Sequence, residues 1–301
     1  MSTAMIFGGG LIGMSFAERF AEHGWAVRVV DVRPEVGEDV AKRLGEKGEF
    51  FTDLETALDG VDFVQEAGPE KIDFKNDIFR QFAEFAPENA ILASSSSALL
   101  PSKIAEGNPA ADRIIVGHPF TPPDLMPVLE IVPSPKTSTE TVDRAMEVYR
   151  GIGFDPSRLN KEIPGFVGNR IQKAIMMEAI YLIQEGVVDV ENFDRIVRNS
   201  LGLRYAAVGP FEANRLGGGP DGITKLFDTI FPRLGKVHAR RRAGHGQPRR
   251  RDRAGQRGLR ERHRLLYQAL RGARREAQGD RRGDFRGGVG GGGTFSKLPN
   301  L

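Results

Sequence analysis

The run Met5-Ile6-Phe7-Gly8-Gly9-Gly10-Leu11-Ile12-Gly13 is followed, eighteen residues past its last glycine, by Asp31. Residues 3–7 read as a short buried strand and residues 11–23 as a helix stopping at Gly24, so a G-x-G-x-x-G pattern falls between strand and helix. There the first glycine makes a tight turn, the second lets the backbone approach a pyrophosphate, and the third lets the helix pack on the strand. The helix N-terminus adds unpaired amides that suit phosphate oxygens. A second apolar strand over 26–32 carries Asp31, a carboxylate placed to accept from adenosine ribose hydroxyls and to repel a 2′-phosphate. The pattern predicts NAD rather than NADP as cofactor, with Arg33 the one neighbour pulling the other way.

Outward from this unit the alternation continues. Helical patterns cover 35–47, a short stretch opened by Asp53, and 72–85, and strand patterns cover 61–65, 90–93, 113–117 and 128–132. A further helix begins at Thr137-Ser138-Thr139-Glu140, which has capping-box spacing. Alternation of this kind predicts an α/β fold with a doubly wound, Rossmann-type parallel sheet. From Pro164 the pattern turns helical, first over 165–185, with Val167, Ile171, Ala174, Ile175, Leu182 and Ile183 on one side and Met176, Met177 and Ile180 widening it. Further helices are expected over 190–199, 209–216 and 223–231. So broad an apolar face belongs at the centre of a helical domain or in a subunit interface, and it predicts a homodimer. The expected organisation is a nucleotide-binding domain over 1–163, an all-helical substrate and dimerisation domain over 164–236, and a basic tail over 237–301.

A chain of 301 residues has room for two such domains. It contains no cysteine, which excludes thiolate nucleophiles, Cys-zinc sites and iron–sulfur clusters and suits a reducing cytoplasm. No metal site is expected. No apolar run approaches the ~18 residues of a membrane span, and the N-terminus lacks the basic leader of a signal peptide. The net charge of +3 averages two unlike parts: up to Lys236 there are 25 Lys and Arg against 35 Asp and Glu, and beyond it 18 against 5. Only the tail argues for nucleic acid, and then without specificity. With 17 Arg, one Lys and 13 Gly, it reads either as translation of a shifted reading frame from near Lys236 or as a disordered, polyanion-binding segment. Either way the only structure expected there is a helix near 259–275.

Chemistry-bearing residues gather at the strand ends. His118 closes the strand over 113–117, and an antiparallel return would set Glu130 beside it, suiting the imidazole to exchange a hydroxyl proton. A histidine that merely caps the strand end is the plain alternative. Ser94, Ser95, Ser96 and Ser97 follow another strand, at the sheet edge where such folds bind ligands, and serve either a substrate oxygen or a turn. Asn169 lies in the first turn of the long helix, capping locally or reaching into the cleft.

Together with Gln65-Glu66-Ala67-Gly68-Pro69-Glu70 and Gly165-Phe166-Val167-Gly168-Asn169-Arg170, these motifs resemble the 3-hydroxyacyl-CoA dehydrogenase superfamily over about residues 3–236. Within it, Leu99-Leu100-Pro101-Ser102-Lys103, Pro127-Val128-Leu129-Glu130 and Gly202-Leu203-Arg204-Tyr205-Ala206 are most similar to the lambda-crystallin and L-gulonate 3-dehydrogenase branch, which oxidises small hydroxy acids. The resemblance implies His118 as base, Glu130 as its orienting carboxylate, and Ser97 and Asn169 against the substrate. It also implies NAD contacts at Gly8, Gly10, Leu11, Ile12, Gly13, Asp31, Glu70 and Ser95. Thr121 stands where the family usually has asparagine, and only 27 residues separate Arg33 from Val61, too few for the helical arm with which acyl-CoA enzymes hold their carrier. Arg204 suits a bidentate grip on a free carboxylate, or equally an ion pair with a nearby acid. The expected reaction moves hydride between NAD and C3 of a small 3-hydroxy acid. A 3-hydroxyacyl-CoA dehydrogenase and a non-catalytic NAD-binding protein are the alternatives.

Overall fold

A computed structural model describes residues 1–218 together with Thr224, Asp228 and Phe231–Arg233, all within the compact unit Met1–His245. Most of the helix expected over 223–231, the tail over 237–301 and its helix near 259–275 lie outside the described residues.

The first half alternates as its pattern dictates. It runs β1 (Thr3–Phe7), α1 (Leu11–Glu22), β2 (Ala26–Val30), α2 (Val36–Leu44), β3 (Gly48–Phe51), α3 (Leu54–Leu58), β4 (Phe63–Glu66), α4 (Ile72–Phe85), β5 (Ile91–Ser94) and α5 (Pro101–Ile104). Then come β6 (Ile114–Pro119), β7 (Val128–Pro133), α6 (Thr139–Gly151) and β8 (Asp155–Arg158). The eight strands form one sheet in the order β3-β2-β1-β4-β5-β6-β7-β8. It is parallel from β3 to β6, whereas β7 returns antiparallel to β6 and β8 runs parallel to β7.

Side-chain alternation along the strands supplies both faces of the sheet with core. In β1, Ala4 and Ile6 join Phe16 and Phe20 of α1, Val40 of α2 and Tyr149 of α6, while Met5 joins the opposite cluster with Leu58 of α3, Phe79 and Phe82 of α4 and Ile104 of α5. The edge strands β3 and β8 were not expected. Gly48-Glu49-Phe50-Phe51 and Asp155-Pro156-Ser157-Arg158 are four residues each without apolar alternation, and a proline is tolerated at a sheet edge because one side of the strand needs no ladder partner. The start of α6 shifts by one residue from the expected box. Ser138 is the cap, accepting from the Thr141 amide at 3.0 Å, so Glu140 does not close it.

The second half is helical: α7 (Gly168–Gln184), α8 (Val190–Val197), α9 (Leu203–Ala207) and α10 (Pro210–Gly217), with a π-helical turn over Arg198–Gly202 joining α8 to α9. The long helix begins three residues later than its pattern, because Gly165 and Phe166 both adopt positive φ, 78° and 46°, and form a turn ahead of it. Within α7 only Ala179 is buried. No helix among the described residues is long and apolar enough to cross a membrane.

Candidate active site

The sheet order reverses between β1 and β4, and the carboxyl ends of β1, β2 and β4 open there on a cavity of about 320 Å³ lined by Phe7, Gly10, Asp31, Arg33, Gly68 and Phe74 among others. The glycines behave as their spacing requires. Gly8 has φ 98° and a Cβ on it would lie 2.8 Å from the Ala67 carbonyl oxygen, while one on Gly13 would lie 1.8 Å from the Gly8 oxygen. A Cβ on Gly10 meets nothing within 4 Å, so the backbone is bare where a phosphate has to come close. No side chain caps α1 and its first turn carries no acid, which leaves its amides available to an anion. Asp31 accepts from the Gly9 amide at 2.7 Å and from the Arg33 amide, Nε and Nη2 at 2.9 Å each. The Arg33 guanidinium, opposed by burial, takes the Asp31 carboxyl down to about 2. These residues fit the adenosine and pyrophosphate of a dinucleotide.

A buried ionic network adjoins the cavity through Gly68. Lys75, in the first turn of α4 and 1% exposed, donates to both Glu66 carboxylate oxygens at 2.8 and 2.7 Å. Glu66 also accepts from the Gly68 amide at 2.7 Å and the Ser94 hydroxyl at 2.6 Å, which ties together the ends of β4, β5 and α4. Leaving such a charge unpaired in the interior is strongly destabilising, so the members hold one another in place. Glu70, in the turn after β4, accepts from the Ser96 hydroxyl at 2.6 Å and the Ser97 and Ala98 amides at 3.0 Å. Burial pushes its carboxyl up, but these bonds and the Lys75 charge outweigh that and hold it below the usual range.

The four serines divide. Ser94 and Ser96 donate to carboxylates, and Ser95 donates to the Glu66 carbonyl at 2.7 Å. The Ser97 hydroxyl has no hydrogen-bond partner among the described residues, and Ser97 is exposed. Its carbonyl accepts from the Asn169 side-chain amide at 2.9 Å, so Asn169 reaches from α7 to the end of β5 rather than capping its own helix.

The antiparallel return of β7 pairs His118 directly with Glu130. Their side chains are almost fully buried, with His118 Nδ1 2.8 Å from Glu130 Oε2. The other carboxylate oxygen accepts from the Val167 and Gly168 amides at 2.9 and 3.0 Å. Those two amides are aimed at Glu130 by the turn in which Phe166 holds its left-handed backbone, an unusual conformation for a bulky residue and one expected where function fixes geometry. The Phe120 and Phe166 rings flank the imidazole at 5.5 and 5.4 Å between centroids. Burial pushes the Glu130 carboxyl up, but the His118 bond and the two amides bring it below its ordinary value, so it is an anion at neutral pH. With Nδ1 turned to that anion, Nε2 is left for proton exchange.

Arg204 is exposed on α9 and has no ion pair to any described residue. No cluster of His, Asp and Glu suited to a metal ion occurs among the described residues. Lys75 and Phe120 are not singled out by the sequence, and Glu66 and Phe166 appear there only inside motifs, with no role of their own. The one signal for Lys75 is its place in the apolar stripe Ile72, Lys75, Phe79, Phe82, where a lysine needs a buried partner.

The chain matches the NAD-binding domain of 3-hydroxyacyl-CoA dehydrogenases over residues 35–163 and their C-terminal domain over residues 165–255. It is 36% identical to the L-carnitine dehydrogenase/betainyl-CoA thioesterase of Ruegeria pomeroyi over 78% of this chain, and spans about half, 52%, of that longer protein. It is 39% identical to the lambda-crystallin of Oryctolagus cuniculus, over 70% of this chain and 73% of the crystallin. Among solved structures, that of 5-formyl-3-hydroxy-2-methylpyridine 4-carboxylic acid 5-dehydrogenase, an NAD-dependent dismutase, superposes with a TM-score of 0.72 at 28% identity, over 81% of this chain and 84% of that one.

Proposed function

This chain belongs to the 3-hydroxyacyl-CoA dehydrogenase family, and from that premise we propose that it moves hydride between NAD and C3 of a small, free 3-hydroxy acid, with His118 exchanging the hydroxyl proton. NAD, when bound, accepts or returns the hydride. The observation that carries the reading is the His118 and Glu130 pair at 2.8 Å, braced by two backbone amides from the start of α7.

Glu130 fixes the imidazole's orientation and stabilises its protonated form, so that Nε2 takes the hydroxyl proton during oxidation and returns it during reduction. In this reading Ser97, the serine whose hydroxyl is uncommitted among the described residues, and Asn169, held at the Ser97 carbonyl, orient the substrate oxygen. In the same reading Glu70, which braces the loop at Ser97, and Ser95, bonded to the Glu66 carbonyl, serve the nicotinamide side, while Gly8, Gly10 and Asp31 of the cavity wall, with Leu11, Ile12 and Gly13 at the start of α1, hold the adenosine and pyrophosphate. The apolar, exposed face of α7 supports a homodimer.

Two features support a free acid over a CoA ester. Residues 34–60 are used up by α2, β3 and α3, which leaves no arm for a carrier. Arg204 has no ion pair among the described residues, so its guanidinium is available to a carboxylate that a thioester lacks. A screen of NAD reduction over free 3-hydroxy acids and their CoA esters tests this, with the free acid expected to give the higher kcat/KM. For Arg204→Ala, KM for that acid is expected to rise roughly ten- to a hundredfold with a smaller change in kcat, the loss of a charge-assisted contact. A preferred CoA ester indifferent to Arg204 would establish the acyl-CoA reading instead, and NAD binding without turnover of any hydroxy acid would establish a binding protein.

A further inference from the structure

We propose that Arg33 sets the cofactor preference of this chain. Its guanidinium latches the Asp31 carboxylate, gives way to the ribose hydroxyls of NAD, and once displaced supplies positive charge to a 2′-phosphate, so that NADP is admitted far more readily than an aspartate alone would allow. The proposal rests on the reading that the Asp31 cavity holds the adenosine end of the cofactor.

An ionised carboxylate offers about four acceptor sites. At Asp31 all four are in use, two by the Gly9 and Arg33 amides and two by the Arg33 side chain. The backbone bonds, one from the glycine turn after β1 and one from the turn after β2, stay. Only the Nε and Nη2 bonds can be exchanged for hydroxyl donors, so a ribose that uses Asp31 has to move Arg33 aside. The two partners are placed for that exchange: the Asp31 side chain is 8% exposed, whereas that of Arg33 is 52% exposed and lines the same cavity. Glu35 is the other acid acting on Arg33.

An aspartate at this strand end rejects a 2′-phosphate through its own negative charge. Here that charge is neutralised by a cation two residues away, whose planar fork is the geometry that grips phosphate oxygens in pairs. Arg33 therefore weakens both halves of the discrimination, by competing for Asp31 with the ribose of NAD and by attracting the phosphate of NADP.

The full-length chain, its Arg33→Gln and Arg33→Lys variants and Asp31→Ala are titrated with NADH and NADPH by calorimetry. Arg33→Gln is expected to bind NADH several-fold more tightly and NADPH about tenfold more weakly, the scale of one charge-assisted contact. Arg33→Lys, which keeps the charge and loses the fork, is expected to fall between the two. Asp31→Ala, which frees the guanidinium, is expected to move the ratio toward NADPH. An NADPH to NADH ratio unchanged within twofold in Arg33→Gln overturns the proposal while leaving the site assignment intact. Failure of the unmutated chain to bind either nucleotide overturns both.

Discussion

His118→Ala is expected to lower kcat by on the order of a hundredfold or more while leaving the dissociation constant of NADH nearly unchanged, because in the proposed reaction its side chain exchanges the hydroxyl proton and does not hold the nucleotide. An unaltered kcat in a steady-state assay would remove His118 from the mechanism. Asp31 carries a different expectation, in stability against pH. Its carboxyl is lowered from an ordinary 3.8 to about 2, so the native state binds that proton less readily than the unfolded chain. The resulting stabilisation is complete above 3.8 and disappears as pH falls toward 2. Urea midpoints of Asp31→Asn are therefore expected to fall less steeply than those of the unmutated chain across that window, and parallel curves would contradict it. The His118 and Glu130 pair was legible because a strand end and a carboxylate twelve residues on imply one antiparallel return, which β7 makes. The Glu66 and Lys75 pair was not, because nothing in the sequence says that the end of β4 and the first turn of α4 share a buried ion pair.

At the scale of elements, the junction between β7 and α7 is where fold and chemistry meet. A Cβ on Gly168 would lie 2.2 Å from Phe120 Cζ and 3.6 Å from Glu130 Oε2, so the start of α7 packs against the wall of the His118 site with no room to spare. Gly168→Ala is expected to displace Phe120 or to pull the α7 amides off Glu130. Overpacking of this kind costs about 1–3 kcal/mol, and here kcat should fall with NADH affinity retained. Thermal unfolding and NADH titration of the same variant check both halves, and a variant with normal kcat would show that Phe120 yields freely. Elements with strong periodicity were readable to the residue, as in β1 and α4. The boundary of α7 was not, because the apolar pattern runs through Gly165 and Phe166 without marking the positive-φ turn that aims the Val167 and Gly168 amides. Edge strands β3 and β8 escaped for the converse reason, since their partners in the sheet make them strands and their own side chains do not.

For the molecule as a whole, the two-part reading of the chain followed from a change of period at Pro164, and the helical part raises the remaining question of what covers it. Val167, Ile171, Ile175, Met176 and Ile180 are between 38% and 59% exposed and recur along α7 at helical spacing, so they make one stripe rather than scattered apolar residues. Leaving such a stripe in water costs free energy that burial against an apolar partner recovers at roughly 25 cal/mol per Å². A second copy is the partner this geometry suits, because a two-fold axis across α7 sets the stripe against itself, and a stable interface needs roughly 800 Å² from each side. The expectation is a sedimentation mass of twice 33.1 kDa at micromolar concentration. Ile175→Glu, which places like charges opposite each other near such an axis, is expected to give a monomer that still binds NADH, since the nucleotide cavity is built on β1, β2 and β4 and contains no residue of α7. A monomeric unmutated chain, or an Ile175→Glu variant that remains dimeric, would place the covering surface elsewhere.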